Sequence, residues 1–306
     1  MNIQKNISLA KYTTFKIGGP AENFVEVKDV LELQEVLKWA EENKQLITII
    51  GGGSNLLISD KGLKGLVVKL CLDHLEFKQN KIIVAAGVNL AYLLNQSFSH
   101  GLVGLEFAAG VPGTVGGAVR GNAGTFGTGI GDVVKKIKYL DENYQVAEMT
   151  AAKAKFEYRH SIFKDKPWIV LEVELELKEG DVQASQKLIK ERLDRRKETQ
   201  PHQASAGCIF KNVDFKDLNL KNLEKRGLEL DKFTKTKQIP AAYLIDQAGL
   251  KGHTIGDAQV SELHTNYIIN KGEATAEQVI ILISFIKQQI RNKYGLQLKE
   301  EVQILL

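Results

Sequence analysis

Two glycine-rich segments are the parts of this sequence best suited to hold a ligand with the backbone. Gly51, Gly52 and Gly53 follow an apolar run, and consecutive glycines let successive N–H groups converge on an anion. A tight turn explains these three glycines equally well. The second segment, residues 110–124, is too long for a turn, and its glycines and alanines remove side chains where a large flat or pyrophosphate-bearing ligand must approach. Buried glycine packing is the alternative for this second segment.

The elements around these segments must place them. Apolar residues recur at helical spacing over residues 29–44, and this predicted helix leads into an apolar strand, residues 46–50, that ends at the first glycine segment. Residues 75–84 and 133–149 each favour a hairpin. Residues 168–177 alternate between apolar and acidic side chains, as in a strand with one solvent-facing side. The chain is therefore expected to be a mixed α and β protein.

Composition and charge bound the class of protein. The chain has 306 residues, 43% hydrophobic and 25% charged, which is ordinary for a globular protein of two or three domains. Its formal charge of +4 is too small to indicate a nucleic-acid-binding protein. Residues 181–240 carry 14 Lys and Arg against 9 Asp and Glu, a local excess of 14 − 9 = 5 positive charges. That excess favours either an anionic ligand or a solvated basic helix over residues 182–197.

The cellular setting is predicted from what the sequence lacks. Its two cysteines, Cys71 and Cys208, indicate a reducing compartment. The N-terminal residues have no signal-peptide apolar region, and the longest apolar-rich run, residues 279–286, is far shorter than the ~20 residues of a spanning helix. We therefore expect a cytoplasmic protein without a membrane segment, and we favour a monomer.

Several common sites can be excluded from the sequence. It contains no G-x-x-x-x-G-K-[ST] loop and no G-x-G-x-x-G after a strand, so adenine-nucleotide binding by those two routes is out. It contains no G-x-S-x-G nucleophile elbow. The histidines form no i, i+4 pair and the cysteines form no C-x-x-C pair, so no metal site is expected.

The order of the remaining motifs makes the chain recognisable. The two glycine segments are followed by a Tyr-Arg-x-Ser-x-Phe motif at residues 158–163 and a Gly-Cys-x-Phe-Lys-Asn motif at 207–212, and later by residues 241–252 and 298–302. In this order they resemble the UDP-N-acetylenolpyruvoylglucosamine reductase family over about residues 8–303. The interval between Arg159 and Cys208 is short for the family, so the chain looks like the subtype without an extra substrate-covering loop.

The resemblance implies a fold and a reaction. The fold would be α+β, with a FAD-binding module of the vanillyl-alcohol-oxidase type in two subdomains, residues 1–70 and 71–200, and a C-terminal α+β substrate-binding domain, residues 201–306. A return of the last residues to the first subdomain is an open alternative. The reaction would be reduction of the enolpyruvyl group of UDP-N-acetylglucosamine enolpyruvate by NADPH through FAD, giving UDP-N-acetylmuramate for peptidoglycan synthesis.

The resemblance also implies which residues act. It gives Arg159, Cys208 and Glu301 as catalytic residues, with Cys208 standing where the family more often has serine. The implied FAD-binding residues are Gly51, Gly52, Gly53, Ser54, Asn55, Leu56, Gly110, Pro112, Gly113, Thr114, Gly116, Gly117, Ala118, Asn122, Ala123 and Gly124. The candidate substrate-binding residues are Tyr158, Lys211, Asn212, Lys251 and His253.

The chemistry of the implied reaction fits these residue types. Hydride arriving at the terminal vinyl carbon pushes electrons toward the substrate carboxylate, so the developing enolate needs a fixed cation such as Arg159. The enolate must then be protonated at the adjacent carbon. A thiol with an ordinary pKa of about 8.5 is a much stronger acid than an alcohol, so Cys208 suits that step. A glutamate at 301 makes sense beside negative charge if it is protonated or donates through water.

Two alternatives stay open from the sequence. One is an oxidase or dehydrogenase with the same FAD-binding fold and another substrate. The other is a non-catalytic anion-binding or nucleic-acid-binding protein that uses the basic helix, which predicts salt-sensitive binding but leaves the glycine segments unexplained.

Overall fold

Helices and strands are distributed over two units of the chain. The structure is a computed structural model that describes residues 2–125, 127–216 and 218–306. One unit consists of residues 2–7, Ala21–Gly53 and Leu63–Arg196, and the other of Ser8–Pro20, Ser54–Gly62 and Lys197–Leu306. The predicted functional division at residues 70 and 200 stays a prediction, and its first residue, Met1, lies outside the described residues.

The elements are numbered along the chain. The described helices are α1 (Val30–Glu42), α2 (Leu90–Ser99), α3 (Val115–Gly121), α4 (Val182–Thr199), α5 (Leu220–Lys225), α6 (Ala241–Gln247) and α7 (Ala276–Tyr294). The described strands in the first half are β1 (Gln4–Ser8), β2 (Pro20–Val27), β3 (Ile47–Ile50), β4 (Leu56–Ile58), β5 (Leu63–Leu70), β6 (Leu75–Lys78), β7 (Lys81–Ala85), β8 (Leu102–Val103), β9 (Gly124–Thr125), β10 (Thr128–Gly129), β11 (Val134–Leu140) and β12 (Val146–Thr150). The strands that follow are β13 (Ile169–Glu176), β14 (Lys178–Glu179), β15 (Val213–Asp214), β16 (Gln238–Ile239), β17 (Thr254–Ile255), β18 (Ala258–Val260), β19 (Ile268–Asn270) and β20 (Gln303–Leu305).

The first unit contains a four-stranded sheet whose order is β1-β2-β5-β3. β5 runs parallel to both β2 and β3. The helix predicted before β3 is α1, and Asp29 begins it by accepting a hydrogen bond from the Glu32 N–H at 2.8 Å. Its predicted apolar stripe is fully buried. The periodicity therefore placed correctly the helix and strand that lead into the first glycine segment.

A five-stranded antiparallel sheet, with the order β12-β11-β13-β7-β6, completes the first unit. Both predicted hairpins belong to it, as β6–β7 and β11–β12. The alternation along β13 is also confirmed, since Ile169, Leu171, Val173 and Leu175 are buried. On its other side, Glu172, Glu174 and Glu176 form ion pairs with lysines of neighbouring strands. These partly exposed pairs contribute little stability, so burial of the apolar side holds this strand.

The composition of residues 110–124 predicts a long glycine-rich loop, and this prediction is wrong in part. Residues 115–121 form helix α3, and the residue after it, Asn122, ends the helix in the left-handed region at φ 42°. The two glycines at 116 and 117 are poor helix formers, so tertiary packing stabilises this helix of about two turns. A Cβ at Gly116 would lie 2.8 Å from the Ala86 Cβ, which shows that the helix packs directly on the backbone after β7.

The second unit is built around the last long helix, α7. The spacing of Thr275 and Gln278 in the sequence predicts a capping box, and the structure confirms it, because Thr275 Oγ1 accepts from the Gln278 N–H while Gln278 Oε1 accepts from the Thr275 N–H. The apolar stripe along α7 is buried, and the helix packs against β17, β18 and α6. The C-terminal strand β20 pairs in parallel with β4. Among the described residues, no helix is both long enough and apolar enough to cross a bilayer.

Candidate active site

The two predicted glycine segments meet in the first unit. A Cβ on Gly51 would lie 2.6 Å from the Thr114 Oγ1, and a Cβ on Gly52 would lie 2.8 Å from the Gly113 Cα. Both distances are shorter than van der Waals contact allows. The glycines at 51 and 52 are therefore required for the two backbones to approach each other, which a plain tight turn would not demand.

Main-chain hydrogen bonds fix the second segment against residues that follow β7. The Leu90 N–H donates to the Gly113 carbonyl at 3.1 Å, the Val115 N–H donates to Val88 at 2.9 Å and the Gly116 N–H donates to Ala86 at 2.8 Å. Because these bonds lie on both sides of Thr114, the start of α3 is held in one position. Gly117 and Ala118 continue α3 from there.

A single buried hydroxyl marks the place where the glycine segments meet. The side chain of Thr114 is 8% exposed, and its Oγ1 has no hydrogen-bond partner among the described residues. Leaving a buried hydroxyl unpaired costs about 1–3 kcal/mol. Lys69 adds a positive charge here by donating from Nζ to the Gly51 carbonyl at 3.2 Å. Bare backbone, an unsatisfied hydroxyl and a nearby cation all suit the pyrophosphate and ribityl groups of FAD.

The end of the second segment leads to the predicted catalytic arginine. Asn122 accepts from the Gly131 N–H at 3.1 Å and donates from Nδ2 to the Glu157 carbonyl at 2.9 Å. Gly124 accepts from Arg159 Nη1 at 3.0 Å. The structure therefore brings together Asn122 and Gly124, which were predicted to bind FAD, and Arg159, which was predicted to be catalytic.

Arg159 lies in a tight turn with a strained backbone conformation. Glu157 and His160 exchange two main-chain hydrogen bonds of 3.1 Å, which leaves Tyr158 and Arg159 as the two residues of a tight turn. Arg159 adopts φ 56°, a left-handed conformation that costs a bulky residue about 1–3 kcal/mol. Lys164 donates from Nζ to the Arg159 carbonyl at 2.8 Å. Strain held in place by surrounding contacts is typical of functional residues. No pattern in the sequence predicted the contact that Lys164 makes.

The second unit brings Cys208 and Glu301 onto neighbouring chain segments. The Glu301 N–H donates to the Ile209 carbonyl at 2.7 Å, so the residue after Cys208 is hydrogen-bonded to Glu301. Gly207, at φ 76°, turns the chain immediately before Cys208. Both Cys208 and Glu301 are half-buried. A thiol and a carboxyl group that share a hydrogen-bonded pair of segments can serve one proton-transfer step.

Asn55 joins this group in the second unit. Its side-chain Nδ2 donates to the Glu301 carbonyl at 3.1 Å, and its main-chain carbonyl accepts from the Gln303 N–H at 3.0 Å. Ser54 and Leu56 flank it, and Leu56 begins β4, which pairs with β20. Asn55 thus fixes the segment that carries Glu301, a task that the sequence analysis did not foresee.

The predicted substrate-binding residues of the second unit divide into two places. The Lys211 N–H donates to the Lys299 carbonyl at 2.9 Å, so Lys211 lies beside the Glu301 segment. Asn212 accepts from the Ala241 N–H at 3.2 Å and so caps α6. Lys251 and His253 lie on the turn between α6 and β17, where the His253 ring stacks on Phe285 at a centroid distance of 4.5 Å.

One buried residue next to Cys208 was missed altogether. Asn266 is 3% exposed and makes hydrogen bonds to both Ile209 and Phe210. A single asparagine just before an apolar strand carries no sequence signal for such a contact, since the two partners are 56 residues apart.

Fold and site together define a flavoenzyme. Residues 21–150 match the family model of the FAD-binding domain, and residues 200–305 match the model of the C-terminal domain of UDP-N-acetylenolpyruvoylglucosamine reductase. The predicted α+β fold with a FAD-binding module is thereby confirmed.

Whole-chain relatives give the particular family. A UDP-N-acetylenolpyruvoylglucosamine reductase from Caldanaerobacter subterraneus subsp. tengcongensis is 38% identical over 302 residues, covering 98% of this chain and 92% of the relative. One from Bacillus licheniformis is 40% identical over 311 residues, covering 99% and 94%. The crystal structure of the reductase from Thermus caldophilus superposes with a TM-score of 0.80 at 30% identity and covers 100% of both chains.

The chain belongs to the UDP-N-acetylenolpyruvoylglucosamine reductase family. It is an FAD-dependent oxidoreductase that uses NADPH to reduce UDP-N-acetylglucosamine enolpyruvate to UDP-N-acetylmuramate in peptidoglycan precursor synthesis. The predicted enzyme class, cofactor and reductant are confirmed. Family membership decides against the alternative of an oxidase with another substrate and against a non-catalytic binding protein.

Proposed function

We propose that Cys208 donates the proton that completes reduction of the enolpyruvyl group. The observation that carries this proposal is the 2.7 Å hydrogen bond from the Glu301 N–H to the Ile209 carbonyl, which fixes Cys208 and Glu301 on paired segments. A thiol is a much stronger acid than an alcohol and therefore gives up its proton more readily. We assign Glu301 to hold or relay a proton at the same carbon.

We assign Arg159 to the substrate carboxylate. Its guanidinium is held by Gly124 and lies 5.3 Å from the Tyr158 ring, so little orientational freedom is left to lose when a carboxylate binds. A fixed cation stabilises the negative charge that develops as the vinyl group accepts hydride. Tyr158, Lys211, Asn212, Lys251 and His253 remain candidates for the sugar and diphosphate.

We assign the glycine segments to FAD. Residues 51–56 and 110–124 would hold the pyrophosphate and the isoalloxazine-bearing chain, with Thr114 Oγ1 supplying a hydrogen bond. When bound, FAD supplies the hydride that it receives from NADPH. The protein's task is then to place the cofactor, exclude water and deliver the proton.

The remaining setting is also a proposal. We expect a cytoplasmic monomer that acts on its nucleotide-sugar substrate without nucleic acid or membrane. The two cysteines, both present as thiols, support a reducing compartment. Gel filtration with light scattering at several protein concentrations would detect any self-association.

Cys208→Ala tests the proton-donor assignment. Reduction of the bound flavin by NADPH should proceed at the wild-type rate, whereas reoxidation by the enolpyruvyl substrate should be abolished. Cys208→Ser should keep part of the activity. Anaerobic stopped-flow absorbance measures both half-reactions.

The matched control is Cys71→Ala. Cys71 follows β5 in the first unit, where burial raises the pKa of its thiol, and both half-reactions should survive this change. An equal loss of both half-reactions in Cys208→Ala would remove Cys208 from the proton-donor role.

A further inference from the structure

Asn266 makes three hydrogen bonds to Ile209 and Phe210, the two residues that follow Cys208. Its carbonyl accepts from the Ile209 N–H at 2.8 Å. Its side-chain Oδ1 accepts from the Phe210 N–H at 3.0 Å, and its Nδ2 donates to the Phe210 carbonyl at 2.9 Å. All of these contacts lie within the second unit, and the two side-chain bonds are buried.

The backbone at Ile209 explains why a side chain is needed here. In a regular strand the N–H and C=O of one residue point to the same neighbour. The Ile209 N–H instead donates to the Asn266 carbonyl, whereas the Ile209 carbonyl accepts from the Glu301 N–H. Because the two groups of Ile209 bond to different segments, the chain is kinked at this residue. Phe210, which is 1% exposed, is left with a buried N–H and C=O that need partners. A carboxamide offers one donor and one acceptor and satisfies both.

The kinked residue, Ile209, connects Cys208 and Glu301, the two residues that we assign to proton transfer. Cys208 precedes Ile209 and pairs with Tyr267, while Glu301 is bonded to the Ile209 carbonyl. Releasing Phe210 would let Ile209 relax toward a regular strand, which would shift Cys208 relative to Glu301. Proton transfer needs a donor within about 2.6–3.2 Å of the accepting atom, so a small shift is costly.

We infer that Asn266 is a positioning residue for the protonation step, because its carboxamide holds the kinked 208–210 segment in register with Glu301. The inference rests on the proposed role of Cys208. It assigns to Asn266 no contact with substrate or cofactor.

Asn266→Asp is the sharpest test, since the two side chains have the same shape. An introduced carboxylate can accept from the Phe210 N–H but cannot donate to the Phe210 carbonyl, whereas the protonated acid can do both. Burial raises the pKa of such an acid. The substrate half-reaction should therefore slow by about 100-fold above that pKa, the loss expected for a displacement of about 1 Å, and should recover as the pH falls. Flavin reduction by NADPH should stay at the wild-type rate throughout.

The pH dependence of the wild-type substrate half-reaction is the reference, because it contains the effect of every other titrating group. The titratable residues beside Asn266 on its own segment are His264 and Tyr267. Those on the 208–211 segment and on the segment paired with it are Cys208, Lys211, Lys299, Glu300 and Glu301. Recovery at low pH has to appear in the variant and be absent from the wild type.

Asn270→Asp is the matched control. Asn270 is also buried, and it donates from Nδ2 to the Phe15 carbonyl at 3.2 Å, but it makes none of the contacts to residues 208–210. This variant should lose stability while the ratio of the two half-reaction rates stays at the wild-type value.

A second measurement does not depend on bound FAD. The rate at which iodoacetamide alkylates Cys208 in the apoprotein, in a Cys71→Ala background, should change in Asn266→Asp and not in Asn270→Asp. Should Asn266→Asp fail to fold, Asn266→Ser provides the variant, because its hydroxyl can replace one of the two bonds; it should slow the substrate half-reaction to an intermediate degree.

The outcomes separate the inference from the proposal beneath it. If folded Asn266 variants keep the wild-type substrate half-reaction at every pH, or slow both half-reactions equally, Asn266 is not a positioning residue. If Cys208→Ala itself keeps the substrate half-reaction, the role of Cys208 is wrong, and the inference is overturned with it.

Discussion

The glycine segments of the first unit and the Cys208 segment of the second unit are built in opposite ways. At Gly51 and Gly52 the backbone of one segment touches that of another because side chains are missing. At Ile209 and Phe210 the backbone kinks, and the side chain of Asn266 completes its hydrogen bonds. The first region depends on the absence of side chains, and the second depends on the hydrogen bonds of one particular side chain.

The two regions should therefore respond differently to substitution. A region made by removing side chains should be damaged by adding a methyl group and indifferent to loss of polarity nearby. A region held by a specific carboxamide should be damaged by an isosteric change that alters one hydrogen bond. Arg159 and Thr114 are the polar exceptions inside the first region, and they make the contrast testable.

Arg159→Gly should have the largest effect. It removes the cation proposed to face the substrate carboxylate, and loss of such a group lowers kcat by about 10²–10³-fold. Stability should change little, because relief of the strain at φ 56° offsets the lost hydrogen bond to Gly124. Steady-state kinetics and thermal unfolding measure the two effects.

The control is Lys155→Gly. Lys155 is an exposed residue that also adopts a left-handed conformation, at φ 51°. Its replacement should stabilise the fold and leave kcat unchanged. A similar fall in kcat for both variants would mean that turn geometry, and not the cation, matters.

Gly52→Ala should come next. The added methyl group would lie 2.8 Å from the Gly113 Cα, and overpacking of this kind costs about 1–3 kcal/mol, or about 5- to 150-fold in affinity. FAD content after gel filtration and titration of the apoprotein with FAD measure the loss. Gly121→Ala in α3 is the control, because a Cβ there meets no described atom within 4 Å; wild-type FAD affinity is expected for it. Equal FAD affinity in the two variants would contradict the close-approach argument.

Thr114→Val should have the smallest effect on FAD affinity. Its effect on the stability of the apoprotein should have the opposite sign. If FAD pairs with the Thr114 hydroxyl, its loss should weaken FAD binding by about 0.5–1.5 kcal/mol, or about 2- to 13-fold. The apoprotein should become more stable, since an unpaired buried hydroxyl has been replaced by a methyl group of the same shape. Urea unfolding with and without FAD separates the two. A decrease in stability of both forms would show that the hydroxyl has a structural partner in solution.

Local patterns were enough to predict much of the fold. The stripe of α1, the cap of α7 at Thr275 and the alternation along β13 are confirmed because each depends on neighbours a few residues away. The glycine segments were predicted as ligand-binding for the same local reason. Helix α3 was missed because two glycines disfavour it locally, and packing against Ala86 outweighs that preference.

The order of the motifs, the glycine density and the residue types suited to hydride and proton chemistry were readable in the amino-acid sequence, and they were enough to predict the family and its reaction. The hydrogen bond from Asn55 to the Glu301 carbonyl, across 246 residues, and the bonds from Asn266 to the segment after Cys208 are visible only in the folded chain. The physical reason is that periodicity and propensity act over a few residues, whereas a buried hydrogen bond takes whichever partner the fold brings within reach.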